Sequence, residues 1–254
     1  MKYCRFLHNG KAFYGHIEES ENCVVGYDKG YLNSEKMFEA VPLSEVKILA
    51  PVQPSKIVAA GLNFYAHANE IGMGVQVKPE PVIFLKPPSS VIGSGDEIVY
   101  PYVSERLDYE AELAFVISAD CKNISEKDAE SYILGYTCLN DVTCRDLQKT
   151  ESQWTRCKGF DTFCPVGPCI VSGIDVSDLK IQAVLNGRVV QDSSTSQMIH
   201  SPAKLLSCIS SIMTLNQGDV IACGTPEGIG PMERGDVIEV KIQNIGTLRN
   251  VVKV

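Results

Sequence analysis

The sequence has no cluster of lysine and arginine, no long apolar run and no apolar segment near its start. Its 254 residues carry a net charge of −8, which argues against nucleic acid or an anionic membrane as a partner. No run approaches the ~18 consecutive apolar residues of a membrane span, and the opening MKYCRFLHNGKAFYG lacks the apolar core of a secretion signal. We therefore expect a cytoplasmic protein with neither a nucleic-acid partner nor a membrane partner.

Several familiar motifs are also missing. The chain has no G-x-G-x-x-G, no P-loop and no G-x-S-x-G. None of its ten cysteines forms a C-x-x-C pair, so a zinc site is not indicated. We interpret the cysteines as reduced, mostly buried thiols. The alternative, thiol chemistry, needs a low-pKa cysteine beside a base, and Cys157 and Cys164, which flank Lys158, are the ones to check.

The composition that is present, 44% hydrophobic and 21% charged, is that of a globular protein with a substantial core. Residues 1–50 contain short β-like segments and predict a small N-terminal β-subdomain. The proline-containing LAPVQPSK (49–56) resembles a linker into a catalytic domain over 51–254. Gly-Asp pairs at 95–96, 218–219 and 235–236 each precede a β-like segment, which is typical of turns that restart strands.

Three segments predict helices. They are 63–72 with Asn63 as N-cap and Gly72 as C-cap, 125–136 with Ser125 as N-cap, and 201–215 with Ser201 as N-cap followed by Pro202. Many strands and few helices indicate an α+β fold dominated by β-structure.

Residues 107–117, LDYEAELAFVI, alternate like a strand but carry acids on one face. Glu110 and Glu112 are two positions apart and point the same way, with origins roughly 6–7 Å apart. Two carboxylates that close repel each other when they are half-buried, and a divalent cation removes the conflict. The alternative is the solvated face of an edge strand, and this stretch alone does not decide between them.

A second acidic segment, LNDVTCRDLQ (139–148), favours the metal. Asp141 would be a third carboxylate ligand, or the N-cap of a short helix, and the two roles are compatible. Arg145 and Gln148 follow one and two helical turns later. A site of three carboxylates suits Mg²⁺ or Mn²⁺, which keep positions open for substrate.

Seven blocks in order make the chain resemble the fumarylacetoacetate hydrolase family over about four fifths of its length. The blocks are GLNFYAHANE, VIFLKP, DYEAEL, GYTCLNDVTCRDLQ, KGFDTFCPVGP, NGRVVQDSSTSQMI and TLNQGDVIACGTPEGIG. The resemblance implies a β-rich roll with a few short helices, a homodimer and a bound Mg²⁺, for which Mn²⁺ or Ca²⁺ could substitute.

The resemblance also implies the roles of individual residues. The metal ligands would be Glu110, Glu112 and Asp141, with Lys158 close to the metal site. The residues around a small anionic 2-oxo acid substrate would be Lys86, Arg145, Gln148 and Thr225. His67 and Glu70, three apart on one helical face, would form a catalytic pair on a lid, with a hinge in IGMGVQVKPE (71–80). A pair at the surface without function is the alternative.

The implied chemistry is metal-assisted reaction of a 2-oxo acid through an enolate. If His67 and Glu70 activate water, the reaction is C–C hydrolysis of an acylpyruvate, and the pair favours hydrolysis or decarboxylation over isomerisation alone. Decarboxylation of oxaloacetate and isomerisation of 2-hydroxyhepta-2,4-diene-1,7-dioate-type compounds share the intermediate and remain alternatives. A non-catalytic metal-binding relative is an alternative of another class, although no ligand or lysine is missing.

Overall fold

Strands dominate the structure, a computed structural model that describes residues 1–32, 35–36, 40–70 and 79–254. The predicted β-rich architecture with few helices is confirmed. In chain order the strands are β1 Lys2–His8, β2 Lys11–Glu18, β3 Cys23–Tyr27, β4 Val41–Pro42, β5 Lys47–Leu49, β6 Ile57–Gly61, β7 Val82–Lys86, β8 Val91–Ile92, β9 Glu97–Ile98, β10 Leu107–Tyr109, β11 Ala111–Ile117, β12 Ile133–Asn140, β13 Thr143–Cys144, β14 Cys164–Val171, β15 Lys180–Leu185, β16 Arg188–Ser194, β17 Val220–Ala222, β18 Gly230–Met232, β19 Val237–Ile242 and β20 Gly246–Val252.

The largest sheet places β11 in its interior. Its strand order is β4-β3-β2-β1-β14-β12-β11-β17-β6-β7, with β5 beside β1 and β8 beside β14. Because β11 pairs with β12 on one side and β17 on the other, every residue of Ala111–Ile117 is buried. The interpretation of this segment as a solvated edge strand is therefore wrong.

The predicted single strand over 107–117 is broken at Glu110. Its first part, β10, leaves the large sheet and lies between β13 and β18 in a three-stranded sheet. Glu110 occupies the junction between the two sheets, and its backbone N–H is bound by the Asn140 side chain at 3.0 Å. The break sets the first acidic residue at the end of one strand rather than within a regular ladder.

A five-stranded sheet of order β16-β15-β19-β20-β9 covers one face of β11. On that face Leu113 and Phe115 belong to the cluster that contains Ile181 of β15 and Val240 of β19. On the opposite face, Val116 belongs to a second cluster. Full burial of such side chains stabilises the fold by roughly 1.5–3 kcal/mol each, so the ligand-bearing strand is held from both sides.

The N-terminal strands extend the large sheet. β1 pairs antiparallel with β14, with Lys2 opposite Val171, and β2, β3 and β4 continue outward. The division into a subdomain of residues 1–50 and a catalytic domain of 51–254 stays a prediction.

The α-helices are short. They are α1 Tyr65–Glu70, α2 Arg145–Thr150, α3 Thr155–Lys158 and α4 Pro202–Ile212. The cap of α4 is as predicted, because the Ser201 side chain accepts from the Lys204 N–H at 3.2 Å. The segment 125–136 instead forms a 3₁₀ helix, Glu126–Tyr132, followed by β12.

Asn63 does not have the predicted capping role. Its side chain crosslinks two distant loops, since Nδ2 donates to the carbonyls of His200 and Cys223 and Oδ1 accepts from the His200 N–H. The predicted C-cap Gly72 and most of the predicted hinge 71–80 fall in 71–78, outside the described residues.

All three predicted Gly-Asp turns precede strands, and they share one hydrogen bond. In each, the aspartate side chain accepts the N–H three residues earlier: Asp96 from Gly93 at 2.9 Å, Asp219 from Asn216 at 2.8 Å, and Asp236 from Glu233 at 2.7 Å. The glycine before each aspartate has a positive φ of 85–89°, a conformation that residues with a Cβ disfavour.

Within the described part of the chain, no helix is long and apolar enough to cross a membrane.

Candidate active site

Three buried carboxylates converge where β10, β11 and β12 meet. Glu110 lies in the junction, Glu112 is the second residue of β11, and Asp141 directly follows β12. One oxygen of each carboxylate lies within 4.8 Å of the others, and the residues are 1–4% exposed. The antiparallel pairing of β11 and β12 creates this proximity, and the Asp141 N–H donates to the Glu110 carbonyl at 2.9 Å.

The three acids experience different electrostatic environments. Burial together with the charges of Asp141 and Glu110 raises the pKa of Glu112 well above its usual range. Burial also opposes ionisation of Glu110, but Lys158 and Arg145 outweigh it and lower the pKa of that carboxyl. An all-oxygen set of three clustered acids fits a hard divalent cation. The buried acidic triad can therefore hold a metal.

Two lysines contact the triad. Lys158, the last residue of α3, places Nζ 2.9 Å from Glu110 Oε2, 2.5 Å from Asp141 Oδ2 and 2.8 Å from Thr143 Oγ1. Lys86, the last residue of β7, donates to the other oxygen of Asp141. Burial alone would lower the pKa of Lys158, but Asp141 and Glu110 raise it, so this lysine stays charged.

Arg145 lies on the other side of Glu110. Its guanidinium donates to Asp108 Oδ2 at 2.9 Å and also to Glu110 Oε1 and to Gln148 Oε1. The predicted substrate residues Arg145 and Gln148 are thus brought to the triad, but Arg145 is bonded to protein groups. Asp108 is fully buried and bound by Arg106 and Arg145.

The His67–Glu70 pair joins a buried histidine to an exposed glutamate. His67 is 5% exposed, and its Nδ1 lies 3.3 Å from Glu70 Oε2. Its charge, when protonated, would lower the pKa of Glu110, so the ring is electrostatically coupled to the triad. The Gly228 N–H donates to Glu70 Oε1 at 3.1 Å, which attaches α1 to the turn after β17. The imidazole is therefore withdrawn from solvent while its carboxylate partner is exposed, and the catalytic role of the pair stays a prediction.

That turn also carries Thr225 to the triad. The Gly224 N–H donates to Glu112 Oε2 at 2.7 Å, and Thr225, the next residue, is 3% exposed. Gly224 has φ +88°, and a Cβ there would lie 2.8 Å from the Asn63 Cβ. Glycine is therefore required at this position both by conformation and by space.

An aromatic pair lies beside the lysine. The Phe84 ring centroid is 5.1 Å from Lys158 Nζ, a cation–π distance. Trp154 packs edge-on against Phe84 with centroids 5.2 Å apart. The pair was not predicted, because Phe84 and Trp154 are 70 positions apart in the sequence.

The cysteines behave as predicted. All ten are free and nine are buried. Burial raises the pKa of Cys157 to about 11 and that of Cys164 to about 12, so neither thiol next to the lysine segment is poised for nucleophilic chemistry.

Sequence reasoning missed several residues that hold this site together. They are Asp108 beside Arg145, Thr143 beside Lys158, Asn140 beside the Glu110 amide, and Gln191, which binds the Ala111 amide and Thr225. Only Asp108 had a signal in the sequence, because it is an acid two positions after Arg106 in a segment that alternates like a strand.

Comparisons with known proteins identify the family. The fumarylacetoacetate hydrolase C-terminal family model matches residues 56–253, and the Rv2993c-like N-terminal model matches residues 1–51. An uncharacterised protein of Archaeoglobus fulgidus is 51% identical over 97% of this chain and 94% of its own length. A mitochondrial oxaloacetate tautomerase of Homo sapiens is 40% identical over 84% of this chain and 71% of its own length.

Solved structures give the same result. A 5-carboxymethyl-2-hydroxymuconate delta-isomerase from Mycobacterium smegmatis superposes with a TM-score of 0.93 at 39% identity over 100% of this chain and 99% of that one. Fumarylpyruvate hydrolase from Pseudomonas aeruginosa, in complex with Mn²⁺ and pyruvate, superposes with a TM-score of 0.75 at 30% identity over 82% of this chain and 92% of that one. The chain belongs to the fumarylacetoacetate hydrolase family, whose members are hydrolases, isomerases and related enzymes of small acids.

Proposed function

From its place in the fumarylacetoacetate hydrolase family, we propose that this protein is a divalent-metal-dependent enzyme that moves a proton within a 2-oxo diacid, with keto–enol tautomerisation of oxaloacetate as its reaction. The observation that carries the proposal is the similarity to relatives named oxaloacetate tautomerase and delta-isomerase, and the buried His67 beside Glu70 supplies a group that can move the proton. A histidine held in this way suits general acid–base catalysis.

The proposed metal is Mg²⁺, with Mn²⁺ or Ca²⁺ as substitutes, and its ligands are Glu110, Glu112 and Asp141. When bound, it would polarise the 2-oxo carbonyl and take up negative charge that develops on that oxygen. Three carboxylates on a hard cation leave coordination positions for a small anionic substrate.

The residues around the triad have separate proposed roles. Lys158, which is buried and charged, stabilises negative charge on the 2-oxygen of the substrate. Lys86, Arg145, Gln148 and Thr225 bind and orient the substrate's carboxylate and oxo groups. Arg145 would have to exchange some of its bonds to Asp108 and Gln148 for substrate oxygens.

The proton transfer is assigned to His67 and Glu70. In the direction from enol to keto form, the enol O–H proton passes to water as the carbonyl forms, and protonated His67 delivers a proton to C3. The imidazole is then reprotonated, and the substrate gains and loses no other atom. Glu70 keeps Nδ1 of His67 in the protonated tautomer, so that Nε2 is the nitrogen that exchanges the proton.

A second candidate is the C–C hydrolysis of an acylpyruvate, in which His67 with Glu70 would activate water. The fumarylpyruvate hydrolase structure with Mn²⁺ and pyruvate supports this reaction. We rank it second because this chain is less similar to the fumarylpyruvate hydrolase than to the relatives named tautomerase or isomerase. The tautomerase is 40% identical, and the isomerase superposes with a TM-score of 0.93.

The experiment is a panel of three substrates with Mg²⁺, with product identification. Enol-oxaloacetate is supplied with malate dehydrogenase and NADH, which consume only the keto form. An acylpyruvate and keto-oxaloacetate are assayed for pyruvate, which reports hydrolysis and decarboxylation respectively. We expect acceleration of keto-oxaloacetate formation that EDTA abolishes. Pyruvate release from the acylpyruvate without tautomerisation would replace the first proposal by the second.

Two further proposals concern the whole protein. We propose that it works as a homodimer in the cytoplasm, as the family resemblance and the composition predict. Light scattering at several protein concentrations tests the first, and cell fractionation tests the second.

A further inference from the structure

Gln191 connects two parts of the active site. It lies on β16, is 1% exposed, and belongs to the sheet that packs on β11. Its Oε1 accepts from the Ala111 N–H at 3.0 Å. Its Nε2 donates to Thr225 Oγ1 at 2.9 Å and to the Pro226 carbonyl at 2.8 Å. One buried amide therefore binds both the strand of the acidic ligands and the turn after β17.

The orientation of this amide is fixed by its partners. The Ala111 backbone N–H can only donate, and the Pro226 carbonyl can only accept. Oε1 must therefore point to Ala111 and Nε2 to Pro226. The second hydrogen of Nε2 then points to Thr225 Oγ1, so the threonine hydroxyl is the acceptor of that bond.

The consequence for Thr225 is that its own hydrogen must be donated elsewhere. Among the residues that the structure describes, none accepts it, although the side chain is 3% exposed. A buried donor without an acceptor is unfavourable, and it is satisfied if a ligand oxygen supplies the acceptor. Because the Gly224 N–H binds Glu112 at 2.7 Å, Thr225 lies next to the acidic ligands.

We propose that Gln191 is a positioning residue that fixes Thr225 as a hydrogen-bond donor to an anionic or carbonyl oxygen of the substrate. At the same time, it anchors the Ala111 amide between the two glutamates. The proposal rests on the proposed function for the identity of the ligand, but the anchoring of the two segments does not depend on it. The groups that can accept the Thr225 hydrogen are carboxylate and carbonyl oxygens.

The anchoring is tested by amide hydrogen exchange on the full chain. Gln191→Met removes all three bonds at similar volume. Asn250→Leu is the matched control, because Asn250 is a buried amide that donates to the Gly93 and Asp96 carbonyls, away from the acidic ligands. Gln191→Met should raise the exchange rate about three- to tenfold in peptides from both 107–117 and 223–230. Asn250→Leu should not produce a rise confined to these two peptides. Unchanged exchange in either peptide overturns the proposal.

The action through Thr225 is tested by a double-mutant cycle. Binding of oxalate, a small dianion with adjacent oxygens, is measured by calorimetry with Mn²⁺ for wild type, Gln191→Met, Thr225→Val and the double variant. We expect Gln191→Met to weaken oxalate binding about tenfold when Thr225 is present. In the Thr225→Val background the same substitution should weaken binding less than about twofold. Equal effects in both backgrounds would mean that Gln191 does not act through Thr225.

The two levels of the proposal can fail separately. If wild type binds Mn²⁺ but no oxalate, the proposed function is wrong, and the exchange data alone then decide whether Gln191 anchors both segments. If oxalate binds and Asn250→Leu weakens it as much as Gln191→Met does, the effect is one of general stability and the positioning role is refuted.

Discussion

The Nζ atom of Lys158 lies 2.9 Å from Oε2 of Glu110, and both side chains are almost completely buried. A buried carboxylate that is a prospective metal ligand is thus already paired with a lysine of the same chain. Removal of one partner of such a pair leaves an uncompensated charge, which typically costs about 3–5 kcal/mol.

Lys158→Met should therefore lower the free energy of unfolding of the metal-free protein by roughly 3–5 kcal/mol. Urea unfolding in EDTA measures it. Addition of Mn²⁺ should recover part of the loss, because the ion supplies the missing positive charge. Lys180→Met, at an exposed lysine paired with Asp192, is the control and should change stability by less than about 0.5 kcal/mol.

Glu112→Gln should abolish metal binding and leave the protein folded. Within the described part of the chain no cation is bonded to Glu112, and its side chain accepts from the Gly224 N–H, so an amide oxygen can replace its hydrogen bond but not its charge. Wild type should be stabilised by about 2.7 kcal/mol at a Mn²⁺ concentration of 100 Kd, and the variant should show no shift in thermal unfolding. A wild-type shift in this variant would remove Glu112 from the ligand set.

Glu110→Ala and Asp141→Ala should also end Mg²⁺-dependent turnover.

His67→Gln should reduce turnover by roughly 10²–10⁴-fold, the usual contribution of general acid–base catalysis, with Mn²⁺ affinity nearly unchanged. Parallel kinetics and calorimetry separate the two effects. Loss of Mn²⁺ binding would instead make His67 a ligand.

Cys157→Ala should keep turnover within about twofold of wild type, since a thiol with its pKa raised to about 11 is protonated at neutral pH. Native protein should also resist inactivation by iodoacetamide. Rapid inactivation that Cys157→Ala prevents would revive the possibility of thiol chemistry.

Asp219→Asn should destabilise the protein at neutral pH and much less in acid. Burial alone would raise the pKa of Asp219, but bonds from Lys56, Asn216 and Ser55 lower it below its usual range. The ionised form therefore contributes stability that is present above the unfolded pKa of about 3.9 and is lost as the pH falls through the lower folded pKa. Thermal melts from pH 7 to pH 3 should show the difference between wild type and variant shrinking below about pH 4. A constant difference would contradict this.

The sequence predicted the elements of the site better than their arrangement. Alternation along 107–117 and the acids of two segments made Glu110, Glu112 and Asp141 candidate ligands, and the family resemblance was needed to choose them over a solvated edge strand. The break of the strand at Glu110 was not predictable, since every residue there is compatible with an uninterrupted strand. Gln191 was also out of reach, because a glutamine between Val190 and Asp192 has no distinctive local pattern, and its partners are 80 and 34 positions away.

Trp154 gives the protein an optical reporter of its own active site. It is the single tryptophan in the chain, and it packs on Phe84, whose ring faces the Lys158 ammonium. Fluorescence excited at the indole band therefore comes from one place, two side chains away from the acidic triad. Titrations with metal or with substrate analogues can be followed on the unlabelled wild-type protein, and the signal should report events at this site rather than elsewhere in the fold.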